Sequence, residues 1–266
     1  MTLTATILGC GSSGGVPRVG SGWGRCDPAE PKNRRRRCAL LIERTGPAGK
    51  TTVLIDAGPD LRQQLLDAGV DRLDGVLLTH EHADHTHGID DLRPLVIHQR
   101  RRIDVYMDAE TSAIMRTRFG YCFATPPGSE YPPILTDHRI HAGEPATIEG
   151  PGGPVTVLPF RLVHGGTEAL GFRVGGLAYS ADVSAIPPDS VGAVEGLDTW
   201  IVDALRDTPH PSHFCLAEAL AWIDQVQPRH AVLTNLHTDL DYRELAQRLP
   251  DGVEPAFDGL KIAVTP

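Results

Sequence analysis

The stretch Gly75-Val76-Leu77-Leu78-Thr79-His80-Glu81-His82-Ala83-Asp84-His85 decides how this chain is read. Its first five residues are short, apolar and flanked by polar positions, the pattern of a strand. The four ligand-type residues that follow therefore sit on the turn at a strand's C-terminal end. A turn can aim residues two apart at a common point, which a regular helix cannot. His80 and His82 can thus grip one metal ion while Asp84 and His85 face a second. Imidazole nitrogen together with carboxylate oxygen suits zinc, manganese or iron. The plain alternative is a solvated, histidine-rich loop. Four ligand types within six positions, directly after a strand, argue against it.

A two-metal centre needs more ligands than one run supplies, and they are expected at other strand ends. His164 follows a predicted strand at 155–162, Asp182 one at 177–179, and His237 one at 231–234. Each alone would more often be a structural residue; their shared placement makes them candidates. His87, His98, His138, His141, His210 and His230 lack such placement and are assigned no role.

Outward from the run, further strands are predicted at 4–9, 38–43, 52–56, 103–107, 171–174, 199–204 and 261–264, from apolar and β-branched runs between Gly and Pro clusters. Helices are predicted at 60–68, with Gly69 as C-cap, and at 109–119, 216–225 and 242–248. Strands precede helices in each half, which suggests two mixed sheets packed together with helices outside. Residues 11–32 are rich in Gly and Pro without a hydrophobic period and read as a long functional loop. No linker splits the chain, so a single domain over 1–266 is expected.

A chain of 266 residues can bury roughly three quarters of its unfolded surface, so a core is available without disulfides. The five cysteines are scattered with no C-x-x-C pair, and are read as reduced thiols. A formal charge of −9 argues against a broad nucleic-acid surface, although a local basic patch stands at Arg34-Arg35-Arg36-Arg37. No apolar run approaches the roughly 18 residues of a membrane span. The N-terminus lacks the marks of a secretory signal, so a cytoplasmic protein is expected.

The pattern H-x-H-x-D-H, followed by a distant His, a distant Asp and a last His, resembles the metallo-β-lactamase superfamily, and the resemblance covers nearly the whole chain. Leu54-Ile55-Asp56-Ala57-Gly58 is similar to the early strand-end Asp-Gly motif of that superfamily. The resemblance implies a four-layer αββα sandwich with the metals at one edge of the sheets. It assigns His80, His82 and His164 to a first metal and Asp84, His85 and His237 to a second, with Asp182 bridging. The two divalent ions are expected to be Zn²⁺ or Mn²⁺, with iron as a further option, sharing a hydroxide that attacks the substrate. Asp56 is expected to orient the metal-binding histidines rather than to bind.

Within the superfamily the chain resembles the phosphoribosyl cyclic phosphodiesterase branch, the PhnP-like proteins. The pieces that carry this are Gly9-Cys10-Gly11-Ser12-Ser13-Gly14-Gly15-Val16-Pro17, which is also similar to ribonuclease Z, then Arg35-Arg36-Arg37-Cys38 and Phe257-Asp258-Gly259-Leu260. Ser212-His213 precedes a helix where that branch keeps a histidine thought to act as general acid. The resemblance thus puts His213 and Asp84 in the catalytic role and implies a small phosphodiester, such as a cyclic one, as substrate, with Arg37 or its neighbours free to hold a second phosphate and a homodimer as the assembly. Two departures stand out. The branch carries a cysteine cluster and a late histidine for a structural zinc, whereas here only Cys26 and Thr238 stand in those places, so none is expected. The usual Leu-Thr-His of the last ligand is Leu233-Thr234-Asn235. A two-residue shift along an extended segment keeps the same face, which favours His237 as the ligand and leaves Asn235 as the alternative.

Three other functions compete. A tRNA 3′-end nuclease of the ribonuclease Z kind fits the Gly-Ser start, but no basic arm for gripping tRNA is evident and the chain is acidic. A di-iron redox protein would need a flavin partner and more carboxylate ligands. A non-catalytic scaffold would lose ligands, whereas a full set can be assigned here.

Overall fold

The computed structural model describes residues 2–265. Six strands lie in the first half, β1 (Thr2–Gly9), β2 (Ala39–Gly46), β3 (Gly49–Ile55), β4 (Gly75–Leu77), β5 (Ile103–Met107) and β6 (Leu135–Arg139). The second half supplies β7 (Ala146–Ile148), β8 (Val155–His164), β9 (Thr167–Val174), β10 (Leu177–Ser180), β11 (Thr199–Asp203), β12 (His230–Thr234) and β13 (Val253–Pro255). The last strand, β14 (Lys261–Val264), returns to pair with β1. The two sheets run β14-β1-β2-β3-β4-β5-β6 and β13-β12-β11-β10-β9-β8-β7. Each is antiparallel on one side and parallel on the other, the switch falling at β3 in the first sheet and at β10 in the second.

Alternation along the strands explains the layers. In β2, Leu40 and Ile42 enter the core between the sheets while Ala39 and Leu41 face the outer helices. In β3, Val53 and Ile55 point inward and Leu54 outward. Strands covered on both faces read as continuous apolar runs, as these do. Helices α1 (Leu61–Ala68), α2 (Ala83–Thr86), α3 (Arg93–Gln99) and α4 (Ala109–Phe123) belong to the first half, α5 (Leu216–Val226) and α6 (Tyr242–Arg248) to the second. Leu61, Leu65 and Met115 from the first group close one outer layer; Leu216, Ile223 and Leu245 pack around Trp200 in the other. The result is the four-layer αββα sandwich expected.

Gly69 ends α1 in the left-handed conformation, φ 65°, as its capping position requires. Strands β6, β7 and β13 and helix α3 were not legible. β6 reads Leu-Thr-Asp-His-Arg and buries only its leucine, β7 and β13 have three residues each, and no residue of α3 is buried. The strand expected at 75–79 ends at Leu77, and the histidine run is not one turn throughout. His82 is extended and caps α2, which carries Asp84 and His85.

Candidate metal centre

The site is assembled where strands end. Asp56 leaves β3 with φ 68°, a left-handed turn that brings its carboxylate under the histidine run. It accepts the Thr79 backbone N–H (2.9 Å), the Thr79 hydroxyl (3.0 Å) and the His85 Nδ1–H (2.7 Å). The Ala57 N–H donates to the His85 carbonyl (2.7 Å), and a Cβ on Gly58 would overlap the Asp84 carbonyl oxygen. The Asp-Ala-Gly motif is therefore the bed on which the run lies, the organising part expected of Asp56.

Three imidazoles converge above it. His80 Nδ1 lies 2.9 Å from the Thr79 hydroxyl, whose proton goes to Asp56, so His80 Nδ1 is the donor and Nε2 carries the lone pair. His164, the last residue of β8, donates Nδ1–H to the Ser212 carbonyl (2.7 Å), which frees its Nε2 in the same way. Those two Nε2 atoms lie 3.0 and 3.2 Å from His82 Nδ1. Outer hydrogen bonds that fix the tautomer of each ring are what a metal-binding histidine needs. Burial, reinforced by the charge of His85, holds His80 well below the usual imidazole range, and burial likewise lowers His164. Both are poised as neutral donors.

A second group surrounds His85. With Nδ1 committed to Asp56, its Nε2 faces Asp182 Oδ1 at 3.2 Å and Asp84 Oδ2 at 3.4 Å, and it is buried without a hydrogen-bond partner. Burial would raise the Asp182 carboxyl, but His85, then His80 and His213, outweigh that and hold it well below the carboxylate range. Ligand atoms of His80, His82 and His164 lie within 4.8 Å of one another, as do those of His80, His85 and Asp182. Converging lone pairs and a carboxylate facing an unpartnered, buried imidazole nitrogen fit divalent cations on both sides.

His213 closes a third group with His164 and Asp182. Its Nδ1 lies 2.8 Å from Asp203 Oδ2, at the end of β11, and its ring is 4.7 Å from that of His164. Burial would lower it, but the hydrogen bond and charge of Asp203 raise it; burial in turn pushes Asp203 up to about 7. This contact fixes the orientation of the His213 ring.

The structure does not bring His237 into the metal groups, which corrects the expectation for the last ligand. Its Nε2 lies 2.5 Å from Arg18 Nη1 and its Nδ1 3.2 Å from Asp239, so both ring nitrogens are engaged elsewhere. The two-residue shift presumed an extended segment, but Asn235 turns through φ 60° and breaks the alternation. Asn235, buried at the end of β12, instead sets Nδ2 3.4 Å from Asp182 Oδ1 and 3.1 Å from His213 Nδ1.

A cavity of about 260 Å³ opens above the centre. His82, Asp84, His164, Asp182 and His213 line it together with Ser12, Arg18, Arg206, His210 and His237. Arg18, Arg206, His210 and Asp203 were missed; of these only Asp203, an acid ending an apolar strand, carried a readable signal. The larger cleft of about 550 Å³ near Thr2, Arg44 and Arg173 has no histidine or carboxylate in its lining. The four-arginine run is held by protein groups. Arg34 lies over Trp23, Arg35 is buried against Asn33 and the His237 carbonyl, Arg36 pairs with Asp258 and Asp67, and Arg37 with Asp60 at 3.0 Å. All five cysteines are free and buried; Cys26 Sγ meets the carbonyls of Thr238 and Leu240. Among the described residues no helix is long and apolar enough to cross a membrane.

Residues 51–235 match the model of the β-lactamase superfamily domain. The chain is 35% identical over 263 residues to an octanoyltransferase of Porphyromonas gingivalis, which covers 97% of this chain and 51% of that protein; the chain thus spans about half the relative's length. Ribonuclease Z of a Bradyrhizobium species is 40% identical over 77 residues, 28% of this chain and 24% of the relative. Among solved structures, a diphosphatase from the PhnP family superposes with a TM-score of 0.88 at 34% identity, over 99% of this chain and 97% of that one.

Proposed function

Because the chain belongs to the metallo-β-lactamase superfamily and lies close to its PhnP-like members, we propose that it is a metal-dependent phosphodiesterase acting on a small phosphodiester, cyclic or linear. The observation that carries this reading is the convergence of His80, His82 and His164 beside His85, Asp84 and Asp182 on the floor of the cavity that His213 also lines.

Divalent cations held there supply activation of water near neutral pH and offset charge on the phosphoryl oxygens. The chain's own residues do the rest. Asp203 fixes the His213 ring through Nδ1, which leaves Nε2 to give a proton to the departing alkoxide. The guanidinium groups of Arg18 and Arg206, in the cavity lining, complement a phosphoryl group. A cavity of about 260 Å³ has room for a small ester. The solved relative's name adds the diphosphate linkage as a second bond to try, since the same groups would face either phosphorus centre.

The test is a screen with added Zn²⁺ or Mn²⁺ over bis-p-nitrophenyl phosphate, a 2′,3′-cyclic nucleotide, a nucleoside diphosphate sugar and a tRNA precursor. Turnover of the small esters is expected. Cleavage of the tRNA precursor alone would favour the ribonuclease Z reading, to which the short stretches of similarity point.

A further inference from the structure

We propose that the two halves of this centre are unequal by construction, with a tight site at His80, His82 and His164 and a weak, exchangeable site at His85 that favours a harder cation. This inference rests on the metal-hydrolase reading and concerns affinity rather than turnover.

The first half offers three imidazole nitrogens, two with their tautomers fixed by outer hydrogen bonds. The second offers one imidazole nitrogen and two carboxylates, with Asp182 Oδ1 and Asp84 Oδ2 at 3.2 and 3.4 Å from His85 Nε2. The strand end that could add a further imidazole carries Asn235, whose Nδ2 donates toward Asp182 Oδ1 and does not serve as a ligand. The nearest histidine along the chain, His237, is bound to Arg18 and Asp239. A nitrogen-rich set selects zinc, whereas a carboxylate-rich set with one imidazole suits manganese and binds zinc less tightly. A left-handed backbone accepts histidine nearly as well as asparagine, so Asn235→His can restore the missing donor without straining φ 60°.

The experiment measures metal content after dialysis, followed by calorimetric titration with Zn²⁺ and with Mn²⁺ alone. One equivalent is expected to survive dialysis, with the second rebinding at least 100-fold more weakly and with a smaller penalty for Mn²⁺ than for Zn²⁺. Asn235→His is expected to tighten the second equivalent at least tenfold, and Asn235→Ala to change it less than threefold; far-ultraviolet circular dichroism and a thermal melt verify that both variants fold. His80→Ala should abolish the retained equivalent. Two equivalents held equally by the unaltered protein, or a second site indifferent to Asn235→His in a folded variant, would overturn the proposal. So would a tenfold loss in Asn235→Ala, which would make the Asn235 amide oxygen a ligand. Unequal binding without hydrolysis of any ester would sink the phosphodiesterase reading and leave this one standing.

Discussion

The two oxygens of Asp56 receive a backbone amide, a hydroxyl and an imidazole N–H, and so fix both ends of the histidine run at once. Beside it, Gly58 works by what it lacks: the Asp84 carbonyl fills the place of its side chain. Gly58→Ala must push α2 away, and the expected outcome is a loss of about 2 kcal/mol or more in unfolding free energy together with weakened metal retention, read by chemical denaturation and metal analysis. Asp203→Asn tests the proton donor separately. It keeps the shape but removes the carboxylate that orients and charges His213, so kcat should fall by about 10² to 10⁴ while metal content stays the same. A fall in bound metal to match would make Asp203 a support of the ligands instead. At this scale the ligand run, His164, Asp182 and Asp56 were legible, because each ends or follows an apolar strand. His237 was not, because the left-handed turn at Asn235 has no sequence mark beyond the asparagine itself. Arg18 and His210 lie in loops whose path only the tertiary fold sets.

At the scale of elements, the long early loop is held by the start of α6. Asp241 caps that helix by accepting the N–H groups of Arg243 and Glu244, and the same carboxylate takes the Asp27 N–H (3.0 Å) and Asn33 Nδ2 (2.5 Å) from the loop. Burial would raise its pKa, but these donors outweigh it and lower it. A carboxylate depressed in the folded state contributes stability above its unfolded pKa of about 3.9 and loses it as pH falls through the folded value. Asp241→Ala is therefore expected to cost about 1–3 kcal/mol near neutral pH, and the gap from the unaltered protein should shrink only below about pH 4. Thermal melts at several pH values check this; a gap constant down to pH 2 would contradict it. The loop itself was read from its Gly and Pro content, and the helices from spacing, with α4 kinking at Phe119, where its expected end falls. The elements that escaped were edge strands of three to five residues and one short helix, where no fully buried face imposes a period.

For the whole molecule, the parallel sides of two sheets bring β4, β10, β11 and β12 to one edge, and the end of β8 joins them there. The order of strands before helices in each half suggested the two packed sheets, and the family resemblance supplied the αββα sandwich. The same edge gathers Asp56, Asp84, Asp182 and Asp203 within one site, so bound cations should stabilise the fold. Removing them with a chelator is expected to lower Tm by several degrees, from a linkage of about 3 kcal/mol at a metal concentration 100-fold above Kd. Re-addition of Zn²⁺ or Mn²⁺ should restore it; an unchanged Tm would argue against a cation in the folded state. The most direct test of the central claim is hydrolysis of bis-p-nitrophenyl phosphate by chelated protein as metal is added back. Turnover should be absent at first, rise with Mn²⁺ or Zn²⁺, and level off only after the second equivalent. Turnover that survives chelation, or none with any divalent metal, would contradict the account.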